Sequence, residues 1–152
     1  FSWTTAWNSG VNTTLSYNTS NGEDETQFNG VFSNVRTTSH ALRLNGRYSF
    51  TAPRGIVFLG KRIRFRSDMT LNFDFDKGED KVEEALRNTV TGLSTTTVRS
   101  HRKNLSVKPR ATYNFSKKLQ GSLDIGYVRS KDLQRERTDT TISVALEALI
   151  KF

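Results

Sequence analysis

Between residues 62 and 77, apolar and polar side chains alternate almost without a break. Ile63, Phe65, Met69, Leu71, Phe73 and Phe75 fall on odd positions, and Arg62, Arg64, Arg66, Asp68, Asn72, Asp74 and Asp76 on even ones. Successive side chains of a strand point to opposite faces, so the segment reads as a two-faced β-strand. It exceeds the roughly five or six residues of an ordinary strand and reaches the roughly nine to eleven that cross a bilayer at a tilt. A soluble sandwich would bury the apolar face against a second sheet. A membrane barrel turns it toward lipid and lets the polar face line a wet interior, which is the reading adopted for this pattern.

The same period runs through the rest of the chain. Residues 140–152 place Ile142, Val144, Leu146, Ala148, Ile150 and the terminal Phe152 on one face, with Ser143, Glu147 and Lys151 on the other. An aromatic at the end of an amphipathic strand suits the headgroup boundary. Period-2 runs and turn residues together predict about seven antiparallel strands, at 1–8, 11–18, 39–51, 62–77, 104–116, 119–129 and 140–152. Ser9-Gly10 and residues 116–118 read as tight turns, and Pro53 and Gly55 mark a medium connection at 52–61. Polar stretches at 19–38 and 78–98 read as long loops. Residues 31–36 could extend the next strand, and Val82, Ala85 and Leu86 give the second loop its only helical tendency. Pro109 lacks an amide donor and predicts a bulge or a poorly paired point in its strand.

Connections that alternate short and long resemble the short periplasmic turns and longer extracellular loops of outer-membrane barrels. That alternation places the C-terminus on the periplasmic side. Lipid-facing positions are then Leu42, Leu44, Phe65, Met69, Leu71, Phe73, Phe75, Leu105, Val107, Leu123, Ile125, Ile142, Val144, Leu146 and Ile150. A periplasmic aromatic girdle would hold Trp7, Tyr48, Phe50, Phe65, Tyr113, Phe115 and Phe152, and Tyr17, Phe73, Phe75 and Tyr127 would lie near the outer interface. Bacterial single-chain barrels have an even number of strands and at least eight, and an open sheet in lipid leaves edge groups unpaired at several kcal/mol each. The chain is therefore expected to be the C-terminal portion of a larger barrel, completed by other strands of the same polypeptide or, as the alternative, by copies around an axis.

Composition narrows the function. No segment of the 152 residues approaches the roughly 20 apolar residues of a spanning helix. The absence of cysteine argues against a disulfide-stapled domain and thiolate metal sites. The net charge of +8 would raise the question of nucleic acid, but the cations alternate with strand positions or sit in turns, so no nucleic-acid partner is expected. His40 and His101 have no second ligand at metal spacing. Ser39 and Ser100 precede them directly, which in a strand sends the two side chains to opposite faces and disfavours a nucleophile–base pair. No catalytic residue, metal or cofactor is expected. The polar wall carries the functional candidates: Arg43, Arg47, Arg62, Arg64, Arg66, Asp68, Asn72, Asp74, Asp76, Lys108, Arg110, Asp124, Glu147 and Lys151. The cations are expected in a belt toward the periplasmic half, with Asp68, Asp74, Asp76 and Asp124 higher. Such a wall can be a ladder of cross-strand salt bridges, the lining of a hydrophilic conduit, or both.

With the strands placed, residues 59–77 (LGKRIRFRSDMTLNFDFDK), the hairpin at 113–127 and the closing strand resemble the C-terminal end of the SprA/Sov family. The residues that carry the likeness are Lys61, Ile63, Ser67, Asp68, Leu71, Asp74 and Phe75, followed by the turn Ser116, Lys117, Lys118 and Leu119. It covers roughly residues 40–152; the acidic loop after Lys77 and the first 38 residues match no motif of that family. These giant outer-membrane barrels form the translocon of the type IX secretion system. The resemblance implies a protein-conducting channel, with secreted protein cargo, a plug protein and a small partner barrel as partners. The C-terminal part of a TonB-dependent transporter or of a lipopolysaccharide-assembly barrel shares the alternation and terminal Phe. A soluble lipid-binding barrel would need an apolar lumen, contrary to the charged face of residues 62–76.

Overall fold

A computed structural model describes residues 1–7, 10–58, 60–116 and 118–150, and the side chains of 52–58 and 61–66 lie outside that description. Among the described residues the chain is all-β, a single antiparallel sheet of seven strands without helix, and the sheet is not closed into a barrel. The strands are β1 (Ser2–Ala6), β2 (Val11–Phe28), β3 (Val31–Phe58), β4 (Lys61–Asn88), β5 (Ser94–Asn114), β6 (Leu119–Asp132) and β7 (Arg137–Ile150). They lie side by side in chain order. This is a meander, the arrangement that short hairpin connections dictate.

The expected strand number holds, but the strands are far longer than the apolar pattern suggests. β3 and β4 each run 28 residues, about 90 Å of chain at ~3.3 Å per residue. The expected long loops at 19–38 and 78–98 are strand for most of their length. Gln27, for example, pairs Phe32 on β3, and Leu86 pairs Ser33 on one side and Thr95 on the other. Backbone hydrogen bonds and cross-strand polar pairs sustain a ladder without an apolar face. The turn between β2 and β3 is the two-residue Asn29-Gly30, with φ of 47° and 76°. Both central residues left-handed is the type I′ geometry whose twist matches that of the strands, and Asn-Gly is its preferred sequence. The helical tendency around Val82, Ala85 and Leu86 is not realised.

The β4–β5, β5–β6 and β6–β7 turns close on side chains. Asn88 accepts at Oδ1 from the amides of Val90 and Thr91, and its own amide donates to the Leu93 carbonyl. Ser116 Oγ accepts from the amides of Lys118 and Leu119. Asp132 Oδ1 accepts from the amides of Gln134 and Arg135. These are the local bonds through which Asn, Ser and Asp favour turns. At Pro109 the β5–β6 ladder has a gap, passing from Val107–Tyr127 to Arg110–Asp124 without a change of register. It is a poorly paired point and not a bulge. The bulge of β5 lies instead between the partners of Val82 and Glu83.

The β1–β2, β3–β4 and β5–β6 connections share one end of the sheet, and those at 29–30, 89–93 and 133–136 the other. At the second end β2 to β5 continue beyond the β6–β7 turn, since Asp132 is level with Arg102 while β5 begins at Ser94. That projection is about 25 Å of ladder at ~3.3 Å per residue. At the first end the β3–β4 hairpin alone runs on, to Phe58–Lys61, past the partners of β2 and β5, so both ends project and the expected short–long alternation of connections is not reproduced as a one-sided extension.

Candidate functional site

Residues opposite one another in an antiparallel pair share a face, so the register sorts the whole sheet into rows. One row reads Trp3, Leu15, Leu44, Phe75, Val107, Tyr127 and Ile142 from β1 to β7. Four residues further along comes Val11, Tyr48, Leu71, Ala111, Leu123 and Leu146. Between them lie Thr13, Gly46, Phe73, Pro109 and Val144, the last opposite Ile125. Leu42 and Leu105 bound the band at one end. Phe50, Met69 and Tyr113 form a row near the other, where Ile150 pairs Leu119. Every described residue expected to face lipid is therefore on one face, with Phe65 outside the described side chains.

No hydrophobic side chain among the described residues is buried. Ile142 is 71% exposed, Val144 66%, Leu146 81% and, in the middle of the sheet, Phe73 39%. A face of this size is far larger than the few hundred Å² of apolar patch that a soluble monomer carries. On β3 it spans residues 42–50, about the nine to eleven residues of a tilted bilayer crossing.

Aromatics collect at its ends. Tyr48 and Phe50 stack with ring centres 5.0 Å apart, and Tyr113 meets Phe115 edge-on at 4.9 Å. Phe115 also lies over Gly121, where an added Cβ would come within 2.8 Å of the ring. Trp7 shares the row of Tyr48, its indole donating to Thr13 Oγ1 at 3.0 Å. At the far end stand Tyr17, Phe75 and Tyr127. Two placements differ from the sequence reading. Phe73 sits in the middle of the band, level with Pro109 and Val144. Trp3, not singled out beforehand for a girdle, stands in the row of Tyr127. Only the cross-strand register reveals either position. Phe152 lies outside the described residues.

The opposite face carries the polar set. Arg43, Arg47, Asn72, Asp74, Asp76, Lys108, Arg110, Asp124 and Glu147 all fall on it, while Asp68 lies in the irregular stretch of the ladder between the Phe50–Met69 and Ala52–Phe65 pairs. The side chains of Arg62, Arg64 and Arg66 and the whole of Lys151 lie outside the described residues. The expected segregation of cations below anions is not what the register produces. Arg43 Nε lies 3.3 Å from Asp76, and Arg110 reaches both Asp124 and Glu147 at 3.2 Å. Asn45 donates to Asp74 at 2.6 Å, and the Ser39 hydroxyl to Asp80 at 2.7 Å. Charges of opposite sign share levels because each strand meets its neighbour antiparallel, so nearby positions on different strands interleave. Arg47 and Arg110 flank Asn72 across the same row.

Beyond the band, on the projecting end, Arg99 Nε donates to Glu84 Oε2 at 2.7 Å and Ser33 Oγ to Oε1 at 2.8 Å. The Arg99 bond, then that of Ser33, holds the Glu84 carboxyl below the ordinary range for glutamate. The Arg135 amide does the same for Asp132 at the β6–β7 turn, with Gln134 adding to it. Gln134 Nε2 also donates to the Val98 carbonyl, tying that turn to the projection. The histidines sit just past the apolar band on the apolar side: His40 Nδ1 bonds Tyr17 and Thr19 hydroxyls at 3.1 and 3.0 Å, and His101 Nε2 lies 2.6 Å from Glu79. Their neighbours Ser39 and Ser100 turn to the other face. Among the described residues no three His, Cys, Asp or Glu side chains come together as a metal site.

No protein-family model, no curated protein and no solved structure matches the chain.

Proposed function

We propose that the chain is a wall segment of a bacterial outer-membrane β-barrel that conducts proteins outward, as the C-terminal part of a type IX secretion translocon. In this reading the apolar face meets lipid, the polar face lines a water-filled lumen, and the C-terminus is periplasmic. The observation that carries it is the division of one sheet into an uncovered apolar band of bilayer-crossing depth and a polar face on which charges of both signs interleave, Arg43 with Asp76 and Arg110 with Asp124 and Glu147. Lipid relieves the exposure of the first, and water tolerates the second. Ten-residue stretches of alternating polarity are common to outer-membrane barrels. The translocon assignment therefore rests on the likeness of residues 61–75 and 116–119 to the SprA/Sov pattern.

A wall of interleaved charges of both signs, several of them paired across strands, also suits protein passage. It presents neither a long single-sign field nor an apolar surface to which an emerging chain would adhere. The remaining strands, a plug protein and a small partner barrel would complete the channel. A photoreactive amino acid at Asn72 or Thr112, on the polar face, tests this in cells secreting a tagged cargo. Cargo adducts are expected from both positions and none from Leu71. Adducts from Leu71, or none from the polar face while cargo is being exported, would overturn the conducting role.

A further inference from the structure

Just past the apolar band, at the projecting end, the apolar face changes character within one row. Lys77 pairs Leu105, which pairs Arg129; in the next row Glu79 pairs Lys103, which pairs Lys131. All four cations are exposed. Glu79 is the acid between them, 3.2 Å from Lys103 and 2.6 Å from His101. Among the described residues no ion pair forms at Lys77, Arg129 or Lys131. Lys103 and Lys131 stand directly opposite one another, a like-charge pairing that costs stability in an antiparallel ladder.

The excess is one-sided. On the other face the row between these two carries Asn18, Ala41, Gly78, Asn104 and Ser130, all uncharged, and in the rows flanking it the cations are paired, Arg43 with Asp76 and Arg102 with Asp132. A ladder that merely solvated itself would distribute charge over both faces. The cations also rim a shallow hollow of about 540 Å³ that reaches down to Leu42 and Leu105 at the top of the apolar band. Phosphate-sized anions would meet Lys and Arg there, while chains attached below them would lie on Leu42, Leu105 and Phe75.

We propose that this belt, Lys77, Lys103, Arg129 and Lys131, binds the phosphorylated headgroup of a lipid in the adjacent leaflet, with its acyl chains against the apolar band. The inference rests on the membrane reading above and adds a lipid-binding site to it. Cation clusters bordering a hydrophobic span are the usual means by which proteins select anionic lipids. The belt stabilises the assembled wall only when that lipid supplies the missing negative charge.

The test uses the full-length protein containing this chain, reconstituted in nanodiscs of phosphatidylethanolamine and titrated with lipid A. Two double variants each remove two cations that have no ion pair among the described residues: K77Q/K131Q on the belt and R47Q/K108Q on the opposite face. Lipid A affinity is expected to fall about tenfold or more in the first, since each cation near an anionic surface contributes roughly fivefold. It should change less than about twofold in the second. Equal losses in both, or none in either, overturn the proposal, as does displacement of lipid A by millimolar inorganic phosphate, which marks a free-anion site. Fractionation and heat-modifiable migration of the wild type separate the two failures. A wild type in the outer membrane with indifferent variants sinks the lipid site alone, and a wild type absent from the membrane sinks both readings.

Discussion

Leu71 and Asn72 are neighbours on β4, yet the account assigns them different solvents, and their surroundings decide which substitutions are informative. Leu71 lies among Tyr48 and Ala111 on the apolar face, so Leu71→Arg is expected to cost about 2 to 4 kcal/mol of barrel stability near mid-membrane. Asn72→Arg is a poor control, because it would set three cations side by side with Arg47 and Arg110. Thr70→Arg, beside Ser49 and Thr112, should be tolerated within about 1 kcal/mol, and Asn72→Asp should be neutral or stabilising by a similar amount. Urea titrations of folding into vesicles check all three. At the projecting end, Glu84 carries a depressed folded-state pKa, so the stability it contributes is present above the ordinary carboxylate range and is lost as pH falls through the folded value. Hydrogen exchange around residues 83–87, corrected for its intrinsic pH dependence, should accelerate in the wild type as pH falls below the ordinary carboxylate range but be flat for Glu84→Gln. Strand alternation alone fixes which residues share a face, so that much was legible in the sequence. Which charges meet was not, because Arg110 and Asp124 are brought level by a register that no local pattern encodes.

At the scale of the strands, the apolar alternation marks only the part that has a side to bury. Past Lys77 the ladder continues on Thr, Ser, Glu and Arg, whose pairs suffice for pairing but give no period-2 apolar signal. Residues 19–38 and 78–98 therefore read as loops. Asn29-Gly30 was the local clue to the contrary, since that dipeptide is the strongest short-range mark of a two-residue hairpin. Gly30→Val is accordingly expected to destabilise the β2–β3 tip by roughly 1–2 kcal/mol, because φ of 76° is strained for any residue with a Cβ. The Thr89 hydroxyl donates to the Gly30 carbonyl at 2.8 Å, so loosening should spread to the β4–β5 tip. Hydrogen exchange should rise at 26–33 and 86–95 and be unchanged at 69–75; uniform acceleration along β3 would contradict this local picture.

For the whole molecule, the outer edges of β1 and β7 and the uncovered apolar band pose one problem, which a closed barrel in lipid solves. Closure satisfies the edge groups, and lipid covers the band. Seven antiparallel strands cannot close on themselves without a parallel seam, so further strands are expected between β7 and β1. The most direct test is single-cysteine accessibility along β4 in native membranes, to whose background these 152 residues contribute no thiol. Positions 70, 72, 74 and 76 should react with a water-soluble maleimide, and 69, 71, 73 and 75 only with a lipid-soluble one. Equal reactivity of odd and even positions, or protection of the odd ones in protein that remains soluble without membranes, would contradict the two-solvent account.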